Sequence, residues 1–153
     1  MVKMVLDRWN GSITSGDTLI NSLPAEKWQQ EIAPGKNRGI YLLGHLIAVH
    51  DDMLVLLDLG QKQHPELFEA FVKSPDKATP NLPSSEELKQ SWTRQNEDLR
   101  KHFEALQPAQ WFEKHTSVSV EDFAKEPHRN KLNIIITRTS HLQYHLGQLR
   151  LLA

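Results

Sequence analysis

The sequence predicts an all-α fold: a four-helix bundle with long inter-helix loops and one short extra helix. Three observations carry this reading. Eight prolines, at 24, 34, 65, 75, 80, 83, 108 and 127, leave four windows of helical length between them, because a helix interior excludes a residue that lacks the N–H and clashes with the preceding turn. Each window repeats its apolar residues at helical spacing. Strand patterning is confined to Thr116–Val120, which alternates and reads as one short extended piece.

The first window runs from about Val5 to Ser22, with Leu6, Trp9, Ile13, Ile20 and Leu23 near one face. Gly11 and Gly16 each weaken it by roughly 1 kcal/mol relative to alanine, so the helix depends on tertiary packing. The second runs from about Asn37, read as its N-cap, to Leu59, with Gly60 just past the end. It is apolar on most sides and so belongs deep in the core. The third starts at Ser84–Ser85, where Ser84 and Glu87 have capping-box spacing, and Pro108 stops it. The fourth runs from about Asn130 to Leu152. Between the second and third windows, His64–Phe71 reads as a short helix with Pro65 at its first position. The two long connections hold about two dozen residues each, against the 2–8 usual in simple bundles. They leave the helix order open and offer material for the walls of a binding site. No internal repeat is evident.

Composition narrows the function. A chain of 153 residues has the size of one domain, expected to span 1–153, and can bury a core unaided. There is no cysteine, so no disulfide forms and no thiolate serves as ligand or nucleophile. Together with an N-terminus lacking the pattern of a signal peptide, this favours a cytoplasmic location. A formal net charge of −1, with the basic residues dispersed, gives no field for nucleic acid. His45, His50, Asp51 and Asp52 interrupt the longest apolar stretch, so no membrane span is expected.

The eight histidines carry the functional signal. His141 and His145 lie four apart on the fourth helix, which places both imidazoles on one face within reach of a single ion. The spacing alone is weak, since about 0.4 such pairs arise by chance at this histidine content, and a solvated polar face explains it equally. His45 sits among apolar neighbours on the second helix, and a buried imidazole needs a partner at each ring nitrogen. A hydrogen-bonded core histidine satisfies that need, and so does a metal shared with the facing pair. Gly44 and Gly147 suggest close helix approach near these residues. Three histidines with an open fourth position make a catalytic rather than a closed structural site. The fourth helix lacks the glutamate of zincin peptidases, no Glu-x-x-His pair for a di-iron site is present, and no G-x-S-x-G elbow or P-loop occurs.

With GHL at 44–46 and HLQYHLGQL at 141–149, the chain resembles the DinB/YfiT-like superfamily of metal-dependent enzymes along its whole length. The resemblance implies a four-helix bundle, often dimeric, with His45, His141 and His145 on one divalent metal, usually zinc or nickel. Members of known activity transfer or isomerise conjugates of low-molecular-weight thiols, so a small-molecule substrate and a thiol cofactor are expected. Helical spacing nominates neighbours. Tyr41 and Arg138 would line the open position, Arg138 holding an anionic substrate group and Tyr41 donating a hydrogen bond. Asp52 or Gln148 would orient a ligand imidazole. His50 lies about 140° around the helix from His45 and is expected off the site, while His64, His102, His115 and His128 are assigned to loops or surface. The leading reading is a metal-dependent transferase or hydrolase. The alternatives are a non-catalytic bundle stabilised by metal or small molecule, of the stress-response kind, and a helical interaction protein without metal.

Overall fold

Capping chemistry and proline set the helix boundaries in the computed structural model, which describes residues 1–153. Four long helices form the bundle: α1 (Val2–Ser22), α2 (Gly39–Leu56), α4 (Ser85–Ala105) and α6 (Lys131–Leu149). Two short helices lie in the connections, α3 (Pro65–Phe68) and α5 (Val120–Lys125). The expected short helix therefore exists, but it widens after Phe68 into a π-helical turn over Glu69–Lys73, closed by Ser74 N–H donating to Glu69 C=O.

The ends of α4 follow the sequence reading. Ser84 and Glu87 form the reciprocal capping box, and Pro108 opens a separate 3-10 turn. The ends of α2 do not. Arg38, not Asn37, takes the N-cap position, and its own N–H donates to the Asp76 carboxylate at 2.8 Å. At the other end the chain leaves α2 through Asp58, whose φ of 56° is left-handed, not through Gly60. Asp58 N–H donates to Val55 C=O and Leu59 N–H to Leu54 C=O, a pair of bonds that occupies carbonyls a helix end otherwise leaves free. Thr116 completes this cap from the far loop, giving its N–H to Leu56 C=O and its hydroxyl to Val55 C=O. The extended piece expected at Thr116–Val120 is thus a turn that caps α2, with Val118 buried and Ser119 capping α5. No strand forms in the chain; two isolated bridges, Glu31 with Arg38 and Lys114 with Asn130, are the only extended pairings.

Those bridges mark a repetition in the architecture. After α1, the segment Ala25–Gln29 makes a 3-10 turn that buries Trp28, and Gln30 C=O accepts the first N–H of α2, from Gly39. After α4, Pro108–Phe112 makes the same turn around buried Trp111, and Glu113 C=O accepts the first N–H of α6, from Lys131. The sequence shows this only as two short Pro-Ala-x-(x)-Trp segments, too short to register as a repeat.

Side-chain contacts fix the helix directions. Trp9 meets Phe103 while Asp17 accepts from Trp92 Nε1, so α1 and α4 are antiparallel. Met4 and Ile136 share a groove while Gly16 faces Leu146, so α1 and α6 run parallel. His45 faces His141 and His145 while Gly39 meets Leu152, so α2 and α6 are antiparallel. It follows that α2 and α4 are parallel neighbours, which is why residues 57–84 must cross the length of the bundle. Helix α2 has the length and apolarity to span a membrane, yet it is the core helix, with 72% of its residues buried. All four tryptophans are at most 2% exposed and fill the interior from both ends.

Candidate metal centre

The antiparallel contact of α2 and α6 brings three imidazoles to one point. His141 Nε2 lies 3.1 Å from His45 Nε2 and 3.1 Å from His145 Nε2. One ring nitrogen from each of the three lies within 4.8 Å of the others. The two α6 histidines stand one turn apart on the face that meets α2, as their spacing requires.

The far nitrogens of two rings are held by neighbours that determine where the proton sits. His45 Nδ1 is 2.8 Å from the Phe71 carbonyl. A carbonyl only accepts, so Nδ1 carries the hydrogen and Nε2 is a bare lone pair. His145 Nδ1 is 2.7 Å from Gln148 Oε1, whose amide is oriented by Gln148 Nε2 donating to the Tyr144 hydroxyl at 3.3 Å. His145 Nε2 is bare by the same reasoning. Gln148 therefore stands where the sequence placed it, beside a candidate ligand.

Phe71 reaches His45 because of Gly44 and the π-helical turn. A Cβ at residue 44 would sit 2.4 Å from the Phe71 ring, so only glycine lets that ring lie flat against α2. The close approach expected at Gly44 is real, but its partner is the long loop and not α6. Gly147 has nothing within 4 Å of a built Cβ and serves no close approach. Tyr41 also holds the loop. Its hydroxyl donates to Ser74 C=O at 2.7 Å, and its ring stands nearly parallel to His45 with centroids 6.4 Å apart. The expected hydrogen bond from Tyr41 to a substrate is thus replaced by one to the backbone, because the π-helical turn presents a carbonyl to it. Asp52 makes no hydrogen bond to any of the three imidazoles; it pairs with Lys62 at 3.0 Å. Its helical position turns it toward that loop lysine.

Burial, first of all, lowers the pKa of each histidine. His45 is shifted down by desolvation, against its bond to Phe71, and His145 likewise against its bond to Gln148. His141 falls to about 4, through desolvation and then the positive charges of His145, His45 and Arg138. At neutral pH all three imidazoles are uncharged, the form a metal requires. Nitrogens about 2.0–2.1 Å from a tetrahedral ion stand about 3.3 Å apart, close to the 3.1 Å found here. Two bare lone pairs converge on the third ring, with both back nitrogens already donated away; a cation fits between them, and without one His141 Nε2–H can donate there. The donor set fits a divalent metal.

Arg138 lies half-buried on α6 beside this cluster. Its Nε is occluded and lacks a hydrogen-bond partner. Desolvation lowers its pKa, opposed by the charge of Asp52, which is itself committed to Lys62. No carboxylate forms a salt bridge with Arg138.

Two further histidines differ from a simple surface assignment or add to it. His115 is buried and accepts from Ser117 N–H at 3.2 Å, because the turn that caps α2 folds over it. His50 is outside the cluster, as its angle on the helix indicated, and is wholly buried. The Phe71 carbonyl was invisible in the sequence, since a backbone acceptor delivered by a loop leaves no residue-type signature.

A helical bundle whose second and last long helices converge three uncharged histidines defines a class: a bundle protein with a candidate three-histidine metal centre. The sequence places it further. The family model described as the DinB superfamily matches residues 16–149, and the chain belongs to that superfamily. No curated protein matches the chain at a significant level.

Proposed function

We propose that this protein is a divalent-metal-dependent enzyme, with His45, His141 and His145 as the ligands. The convergence of three Nε2 atoms, two of them with proton-bearing Nδ1 atoms already paired, supports this reading most directly. Zinc and nickel are the candidate metals, since imidazole suits both. With three protein ligands, a bound metal has a coordination position free to activate a water or an incoming thiol near neutral pH. The protein's own residues would do the rest. Arg138 would bind an anionic group of the substrate, Phe71 and Gln148 would hold His45 and His145 in their ligating tautomers, and Tyr41 would keep the loop carrying Phe71 in place. Transfer of a low-molecular-weight thiol to a small electrophilic substrate, or hydrolysis of a small substrate, is the reaction class proposed. A homodimer belongs to the same reading.

The decisive experiment measures metal in tag-free protein purified from medium supplemented with zinc and nickel. One equivalent is expected in the wild type and none in a folded His141→Ala variant. Full occupancy in that variant would remove the assignment. A large metal-dependent rise in melting temperature without turnover of thiol or hydrolytic substrates would make the site a stabilising one instead.

A further inference from the structure

Three rungs join one face of α2 to the segment that follows α3. Arg38 at the N-cap, Tyr41 and His45 stand three and four residues apart, so they share a face of the helix. Their partners are Asp76, Ser74 and Phe71, in the opposite chain order, so the segment runs antiparallel to α2. His45 Nδ1 lies 2.8 Å from Phe71 C=O, and the Tyr41 hydroxyl donates to Ser74 C=O at 2.7 Å. The Asp76 carboxylate accepts from Arg38 Nη2 at 2.7 Å, from Arg38 Nε at 3.1 Å and from the Arg38 N–H at 2.8 Å.

The chain leaves these carbonyls free for α2. Ser74 N–H is given to Glu69 C=O, and Pro75, four residues after Phe71, has no N–H to give, so neither takes the Phe71 carbonyl. A residue before proline is held out of the helical region, and Ser74 is extended, with φ −98° and ψ 144°. Its carbonyl meets Tyr41 instead of continuing the turn.

The rung farthest from His45 is the only ionic one. It uses both carboxylate oxygens of Asp76, whose side chain is 5% exposed against 20% for Arg38. Such a charge-assisted pair is strong and directional, and solvent screens it little. Arg38 Nη1 also donates to Gln29 Oε1 at 3.0 Å, which ties the ladder to the turn before α2. Packing of the Phe71 ring over Gly44 keeps that residue close to α2, but ring packing does not set which way its peptide plane faces. The rungs at Ser74 and Asp76 restrict that plane, because they fix the backbone leading away from it.

We propose that Arg38 and Asp76 are positioning residues for the metal centre: their pair anchors the segment that turns the Phe71 carbonyl onto His45 Nδ1. Through that carbonyl they hold His45 in the tautomer whose Nε2 is bare, as partners of metal-bound histidines do. This inference rests on the metal reading above.

The test uses Asp76→Ala, Arg38→Met and the double variant. Zinc affinity, by competition with a chelator, should fall roughly 10-fold in each single variant, the lower end of what losing such a support costs. The double variant should bind zinc no more weakly than Asp76→Ala, because the two residues form one rung; fully additive losses would overturn their acting as a pair. Imidazole nitrogen chemical shifts of the metal-free proteins give a second readout. His45 should carry its hydrogen on Nδ1 in wild type and divide it between Nδ1 and Nε2 in both single variants. If Asp76→Ala does not fold, Arg38→Met decides, since it leaves Asp76 accepting from the N–H of residue 38. A lowered melting temperature with wild-type zinc affinity and an unchanged His45 tautomer would make the pair a structural brace and overturn the proposal. Wild type that binds no zinc would count against the metal reading alone. The tautomer then decides: His45 still protonated only on Nδ1 in both variants would overturn the anchoring role.

Discussion

Gly44 and Phe71 together decide how His45 is held. Because a Cβ at residue 44 would fall 2.4 Å from the Phe71 ring, Gly44→Ala should push the ring and its carbonyl away from α2. Overpacking of this kind costs about 1–3 kcal/mol, and losing the carbonyl partner of His45 should weaken metal binding about 10–100-fold. A thermal melt and a chelator competition on the same preparation check the two effects, and unchanged affinity would show that Phe71 C=O does not support the site. The sequence made His45, His141 and His145 legible because identity and helical spacing suffice to place side chains on one face. The partners of Tyr41 and Asp52 are not legible there, because the same spacing cannot say what a loop brings to that face. The Ser74 carbonyl takes the Tyr41 hydroxyl, and Lys62 takes Asp52.

Helices here are finished by distant groups as much as by local ones. Ser84 with Glu87 caps α4 within four residues, and that signal is readable in sequence. The C-terminus of α2 is closed by Asp58 in a left-handed conformation and by Thr116 from a remote loop, so Gly60, the stronger sequence cue, was misleading. Asp51 does comparable work for the segment after α2. It is fully buried, and its carboxylate accepts from Gln63 N–H and His64 N–H at 2.8 Å each. Asp51→Ala strands both donors and should cost about 1–3 kcal/mol, read as a lowered denaturation midpoint and as faster amide exchange at Gln63 and His64. Exchange unchanged at those two amides would mean the loop is anchored elsewhere. The twin turns around Trp28 and Trp111 are a second shared device, each presenting a carbonyl to the first N–H of the helix that follows. Trp111 is 1% exposed, and Trp111→Ala should lower stability by about 3–5 kcal/mol, as measured by denaturant unfolding.

For the whole metal-free molecule, the buried histidines set an acid limit. An unfolded histidine titrates near 6.5, whereas His50 is held at about 3 and His141 at about 4, with His45 and His145 shifted in the same direction. Between those values the unfolded chain binds protons that the folded chain does not. Their contribution to stability is therefore complete above about pH 6.5 and is lost as the pH falls toward 3–4. Unfolding free energy measured from pH 7 to pH 4 should decline, with a shallower slope in His50→Phe because one such group is gone. A wild-type profile flat over that range would contradict the burial of these rings.

The sequence by itself determined the all-α class, the four long helices, the short helix at Pro65 and the residues able to ligate a metal, because proline exclusion, capping and 3.6-residue periodicity act locally. Tertiary structure alone decided that α2 and α4 run parallel, that the loop after α2 returns as a π-helical turn to hold His45, and that His50 lies buried between Trp9 and Trp92. Those outcomes depend on which surfaces of separate helices meet, and that choice is made by packing among residues far apart in the chain.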